Sequence, residues 1–316
     1  MDSIRIGAVS RNYFNLPLWI AQHCGMFADE HINADVHLIE GIAEVDQRLN
    51  DLDLDIALSV TENIILYREQ GSDLTVLGGN VNRLPFSFIA RQGIASLAQL
   101  RGMKIGVSAI ESGSSSLIMR LLEGVGLRYP ADYTLIPCGP IWARWHMLEN
   151  GEIDAGLQGA PLNYMALDAG YVDLGDPREV FPDFQFVSLN SSQRWIASHR
   201  DLLIRFLRAF IRAHHWFYAN KQASSAIAVE EMGIDAAYAD RAWEEFVRDE
   251  IFPRDGAASV KSIETLIDVS ALIRAIPSRS TIRAQDYIDH SYLEQARKSL
   301  ADDSVGLASL RPADSP

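Results

Sequence analysis

A run of small hydroxyl side chains, Ser112-Gly113-Ser114-Ser115-Ser116, directly follows the β-rich stretch Lys104 to Val107. Gly113 lets a ligand come close to the backbone. Ser114 can cap a helix whose first N–H groups and dipole favour an anionic oxygen. A plain N-cap in a polar loop would use the same residues. No Gly-Lys-Ser/Thr follows and no GxGxxG accompanies the first strand, so ATP and NAD are poorly supported. Arg11, Arg83 and Arg194 stand at expected strand ends or crossovers, where a carboxylate or sulfonate can be held bidentately. Each is also explained as a surface arginine. Trp142 and Trp145 share one face of an expected helix, Ile141 to Asn150, and either could floor a flat ligand. Core packing beside a solvent-facing Arg144 is the plainer reading.

Enzyme chemistry is thinly represented. No G-x-S-x-G elbow occurs. His214 and His215 are adjacent on a helix and point to different faces, which does not make a two-His metal site. Cys24 reads as buried filler in an amphipathic helix. Arg205, Arg208 and Arg212 recur at helical spacing and read as a solvated face. Glu62 and Glu111 are the acids placed in the expected cleft, with no visible catalytic partner.

Composition narrows the classes further. The chain has 316 residues, 48% hydrophobic and 22% charged, a size that suggests about two domains. Lys+Arg 28 against Asp+Glu 42 gives a net charge of -14, which argues against nucleic-acid binding. Two cysteines, Cys24 and Cys138, exclude a disulfide framework and a Cys-based zinc site. No stretch approaches the roughly 18 apolar residues of a membrane span. Met1-Asp2-Ser3 lacks the positive start of a secretory signal.

The elements that must position these residues alternate strand and helix. Ile4–Val9, Val36–Ile39, Asp55–Leu58 and Leu74–Leu77 are expected strands, with helices over Leu18–Glu30, Val45–Leu49 and Thr61–Gln70. The alternation restarts with Leu100-Arg101-Gly102 running into Lys104–Val107. Helix Ser114–Gly124, strand Tyr133–Pro137, helix Ile141–Asn150 and strand Ile153–Leu157 follow. Phe86–Ala90 and Phe184–Val187 are expected crossovers. Beyond Arg200 the chain reads as helical, with a frayed tail from Ala301. In open α/β sheets ligands bind beyond the carboxyl ends of the strands. That rule selects Ser10, Arg11, Asn12, Tyr13, Ser59, Thr61, Glu62, Ser112, Ser114, Ser115, Pro161 and Asn163.

Several stretches together resemble the type II periplasmic solute-binding proteins, in the nitrate/sulfonate/taurine and NMT1/THI5-like group of ABC-transporter receptors. They are Leu16–Gln22 with Gly25-Met26-Phe27, Leu54–Leu58, Leu97–Val107, Gly151–Gly156, Arg205–Phe210 and Asp289–Leu293. The resemblance implies a two-lobed α/β fold with mainly parallel sheets flanked by helices and a helical C-terminal region. Lobe I would be residues 1–88 and 188–300, lobe II 89–187, and 301–316 a flexible tail. The lobes would close by hinge motion over a small organic anion (a sulfonate, carboxylate or aromatic acid). Carried over by position, the lining would be Ser10, Asn12, Tyr13, Ser59, Thr61, Ser112, Ser114 and Ser115, with Trp142 and Pro161 opposite; Arg11, Glu62, Arg83 and Asn163 complete the expected ligand-binding set. No cofactor or metal is expected. The implied partners are the ligand and the permease and ATPase of an importer, with a monomeric receptor.

The same resemblance admits a cytoplasmic enzyme acting on an aromatic carboxylate, sulfinate or pyrimidine-related substrate. The pyrimidine synthases of the group carry a CCCFC motif that is missing here, and the desulfinases a cysteine where this chain places Asn12. The implied location is periplasmic for a chain whose export signal was removed or misassigned, and cytoplasmic otherwise.

Overall fold

The computed structural model describes residues 1–110, 112–270 and 283–309. In the first part of the chain β1 (Asp2–Val9), α1 (Leu16–His23), α2 (Met26–Asp29), β2 (Ile32–Ile39), α3 (Ile42–Asn50), β3 (Ile56–Val60), α4 (Thr61–Glu69) and β4 (Leu74–Val81) alternate. A second series holds β5 (Phe86–Ala90), β6 (Lys104–Val107), α5 (Gly113–Glu123), β7 (Thr134–Pro137), α6 (Ile141–Glu149), β8 (Ala155–Gly159), α7 (Leu162–Asp168) and β9 (Val172–Asp173). Strand β10 (Val187–Ser192) returns the chain to the first sheet. Helices α8 (Gln193–Ala219), α9 (Lys221–Met232), α10 (Ala236–Arg248), α11 (Val260–Ser270) and α12 (Ser291–Ser309) complete the described chain.

The two sheets repeat one plan. Their strand orders are β2-β1-β3-β10-β4 and β7-β6-β8-β5-β9. In the first, β1 pairs in parallel with β2 and β3, while β10 runs antiparallel to β3 and β4. In the second, β6 pairs in parallel with β7 and β8, while β5 runs antiparallel to β8 and β9. Four strands of each sheet therefore point one way. The opposing strand is in each case a crossover from the other half of the chain. The mainly parallel expectation and the two crossovers both hold.

Local differences from the sequence reading have local causes. The helix expected over Leu18–Glu30 is two helices, because Gly25 at φ 67 turns the chain between them. Crossover Phe184–Val187 enters a strand only at Val187, and that strand continues to Ser192. Its Ser188 hydroxyl accepts from Thr61 on α4, its Asn190 amide donates to Ser59 on β3, and its Ser191 hydroxyl donates to the Asp55 carbonyl just before β3. Helix α12 runs past Ala301, where the frayed tail was expected. Residues 310–316 lie outside the described chain, as do residues 271–282 of the stretch expected to be helical.

The C-terminal helices are tied back to the first sheet. Gly78 leaves no room for a side chain: a Cβ there would stand 2.6 Å from the Gly256 carbonyl oxygen. The neighbouring Gly79 N–H donates to that carbonyl at 2.9 Å. Arg205, Arg208 and Arg212 are not a solvated face. Arg208 pairs with Glu30 and Asp303, Arg205 with Asp2 and Asp201, and Arg212 with Asp29, so this stripe sews α8 to the chain's first elements. Among the described residues no helix is long and apolar enough to cross a membrane.

Candidate functional site

Both sheets turn the carboxyl ends of their parallel strands toward a common cavity of about 410 Å³. Its walls include Val60, Glu62 and Asn63 from the first half of the chain, and Ser112, Gly113, Ser114, Pro140, Arg144 and Leu157 from the second. A smaller recess of about 70 Å³ shares Phe86, Phe186, Ser108 and Arg144 with it and extends to Ser10, Asn12, Asn15 and Ser59. The crossovers supply the aromatic part of the wall. Phe86 and Phe186 meet edge to face at 5.0 Å between ring centres, and Phe14 meets both at 6.0 and 5.4 Å. Such pairs hold their rings in fixed orientation.

Arg144 is the chemical centre of this wall. It is only 3% exposed, and among the described residues it makes one side-chain hydrogen bond, from Nη1 to Ser108 Oγ at 3.3 Å. Among those residues its Nε has no hydrogen-bond partner and no carboxylate pairs with it. Burial lowers the pKa of the guanidinium to about 10, which leaves it charged at neutral pH. A buried, unpaired cation is costly unless an anion compensates it.

The chain makes room for this arginine deliberately. Gly106 on β6 and Gly156 on β8 are register partners. A Cβ at Gly106 would lie 3.1 Å from Arg144 Cγ, and one at Gly156 would lie 3.0 Å from Arg144 Cδ. The stem of Arg144 thus lies across a pair of bare backbone positions. On α6, Ile141, Arg144, Trp145 and Leu148 follow the i, i+3, i+4, i+7 spacing of a buried stripe, and Arg144, Trp145 and Leu148 are all buried. Arg144 sits inside that stripe, contrary to its expected solvent-facing place.

The serine run does a different job from the one its sequence suggests. Ser114 Oγ accepts from the Ser108 N–H at 2.9 Å, Ser112 Oγ donates to the Ala109 carbonyl at 2.7 Å, and the two hydroxyls lie 2.8 Å apart. Ser115 Oγ also donates to the Ala109 carbonyl and is buried away from the cavity wall. At the start of α5 stands a carboxylate of the chain itself. Glu62 is 1% exposed, and its Oε2 lies 2.9 Å from the Cβ position of Gly113. The helix dipole favours this placement.

Of the other expected residues, Ser10, Asn12 and Ser59 border the smaller recess. Ser10 has φ 41, Asn12 donates to the Val9 carbonyl, and Ser59 Oγ accepts from Asn190. Burial raises the pKa of Asp46, beneath them, to about 6, while bonds from Asn63 and Ser59 oppose the shift. The rest are placed elsewhere. Arg11 turns outward to Glu231, and Arg83 holds the Asp249 carbonyl. Tyr13 packs on Phe246 at 4.8 Å, and Thr61 donates to Ser188. Asn163 reaches Glu245, Pro161 begins α7, and Trp142 lies against His146. None of these seven borders either cavity. Arg194 pairs with Asp73, and Cys24 is exposed instead of buried. Glu111 lies outside the described residues.

Asn163 belongs to a second polar cluster beside the cavity. Glu245 on α10 accepts from Tyr164 on α7 and from Arg178, whose other nitrogen pairs with Asp249 at 2.7 Å. Arg241 and Asp168 add a further link between α10 and α7. This cluster holds the C-terminal helices against the second sheet.

The NMT1/THI5 like family model matches residues 13–224. No curated protein matches the chain. Among solved structures, the periplasmic nitrate-binding protein NrtA from Synechocystis PCC 6803 is similar with a TM-score of 0.80 at 13% identity, over 95% of this chain and 89% of that one. The alkanesulfonate-binding protein SsuA from Xanthomonas axonopodis pv. citri, bound to MOPS, gives 0.74 at 17% identity, over 92% and 98%. The desulfurization enzyme DSZB gives 0.69 at 14% identity, over 95% and 99%. The strand order, the paired crossovers and a match that spans most of the chain agree: this protein belongs to the NMT1/THI5-like family and has the fold of the type II periplasmic binding proteins.

Proposed function

We propose that this chain is the solute-binding component of an ABC-type importer and holds a small organic anion between two lobes. Lobe I comprises residues 1–88 and 188–300, and lobe II residues 89–187. The observation that carries the reading is Arg144, a buried guanidinium in the cavity wall with no carboxylate partner among the described residues. A carboxylate or sulfonate there supplies the missing counter-charge with charge-assisted hydrogen bonds. The walls come from both halves of the chain, so contacts to both are satisfied only when the lobes are closed. The structural neighbours named for nitrate and alkanesulfonate binding support a carrier role. Permease and ATPase subunits are the corresponding partners, and the periplasm the corresponding location.

Calorimetric titration of the purified chain with aliphatic and aromatic carboxylates and sulfonates tests the role, followed by chemical analysis of the recovered ligand. The expected result is reversible binding of an organic anion that is recovered unchanged. Conversion of the ligand at enzymatic rates would overturn the proposal.

A further inference from the structure

The cavity wall is uneven in its chemistry. Arg144 is its only cation among the described residues, and Glu40 and Glu62 border the same space. The hydroxyls of Ser112 and Ser114 are spent on their own loop. Asn63 is spent on Asp46 at 2.6 Å, and Asn12 and Asn15 are spent on the backbone at Val9 and Ser10. A sugar or polyol would find few donors and acceptors left to replace its water. The remaining surface is apolar: Phe86, Phe184, Phe186, Leu117, Leu157 and Leu266. The space of about 410 Å³ is many times that of an inorganic anion.

From this division, and resting on the receptor reading above, we infer that the ligand is a monoanion with a flat, apolar body, an aryl carboxylate or aryl sulfonate. Its head lies on Arg144 and its body lies along Phe86, Phe184 and Phe186. One cation fits one negative charge. A second anionic group would face Glu40 or Glu62, and a nitrate-sized ion would leave the apolar wall wet. Phe86 and Phe186 already brace each other edge to face, so the slot between head and wall is formed before the ligand arrives.

The test is calorimetric titration of the full chain with five probes: 2-naphthoate, methanesulfonate, nitrate, 2,6-naphthalenedicarboxylate and the neutral 2-naphthalenemethanol. The expected order places 2-naphthoate first. Methanesulfonate and nitrate should be weaker by about 100-fold, and the dianion and the alcohol by about 10-fold or more. Arg144→Met should abolish the preference of 2-naphthoate over the alcohol, and Phe186→Ala should weaken 2-naphthoate by a larger factor than methanesulfonate. Methanesulfonate or nitrate binding as tightly as 2-naphthoate overturns the ligand class and leaves the receptor role standing. So does a dianion that binds better than the monoanion. The alcohol binding as tightly as the acid, or no binding by any probe, overturns both.

Discussion

Gly156 lies directly under Arg144: a Cβ on the glycine would stand 3.0 Å from the arginine's Cδ and 3.2 Å from the Gly106 carbonyl oxygen. Two strands of the second sheet thus give up their side chains at one register position, and a charged helix residue fills the space. Gly156→Ala should displace the arginine stem, lower stability by about 1–3 kcal/mol and weaken organic-anion binding about 10-fold. Thermal denaturation and titration of the same variant read both effects. Lost stability with unchanged affinity would mean that the glycine pair serves packing alone.

Arg178 joins Asp176, Glu245 and Asp249 while its side chain is only 15% exposed. Removing it strands Glu245, which is 6% exposed at its side chain. Arg178→Met should therefore cost about 3 kcal/mol of stability in urea denaturation, as expected for a buried pair broken on one side. A loss within about 0.5 kcal/mol would show that Tyr164 alone satisfies the glutamate.

Asp46 sets a pH dependence of definite sign. Burial raises its folded value from 3.8 to about 6, so the folded state holds the proton over a range where the unfolded chain has lost it. Its stabilising contribution is complete below the unfolded value and disappears as pH rises through about 6. Asp46→Asn keeps an acceptor for Asn63 and removes the ionisation. Relative to wild type, the variant should gain about 1–2 kcal/mol between pH 5 and pH 8. Urea denaturation at the two pH values checks this, and a constant difference would refute it.

The sequence carries the fold well because periodicity and order are backbone properties. The restart of the alternation at Leu100 and the crossovers near Phe86 and Phe184 correspond to the repeated sheet plan. The site is less legible because a strand end fixes a location but not a side-chain direction. Arg11 and Asn12 are neighbours after β1, yet Arg11 turns outward to Glu231 while Asn12 caps the turn that follows and borders the smaller recess. The serines of 112–116 are typical of a ligand loop, and nothing local reveals that the hydroxyls of Ser112 and Ser114 close on one another. Arg144 did leave a signal. It occupies the i+3 position between Ile141 and Trp145, inside an apolar stripe, where a charged residue calls for a partner. Read with the two glycines 106 and 156, that position marks a cavity wall.

The central claim is that the cavity takes an organic anion on Arg144, and crystals grown with saturating 4-bromobenzoate test it most directly. Anomalous scattering from the bromine locates the body of the ligand independently of its head. The account predicts the carboxylate within hydrogen-bond distance of the Arg144 guanidinium and the bromine among Phe86, Phe184 and Phe186. A carboxylate at the start of α5, a bromine outside this cavity, or a cavity that stays empty would contradict it.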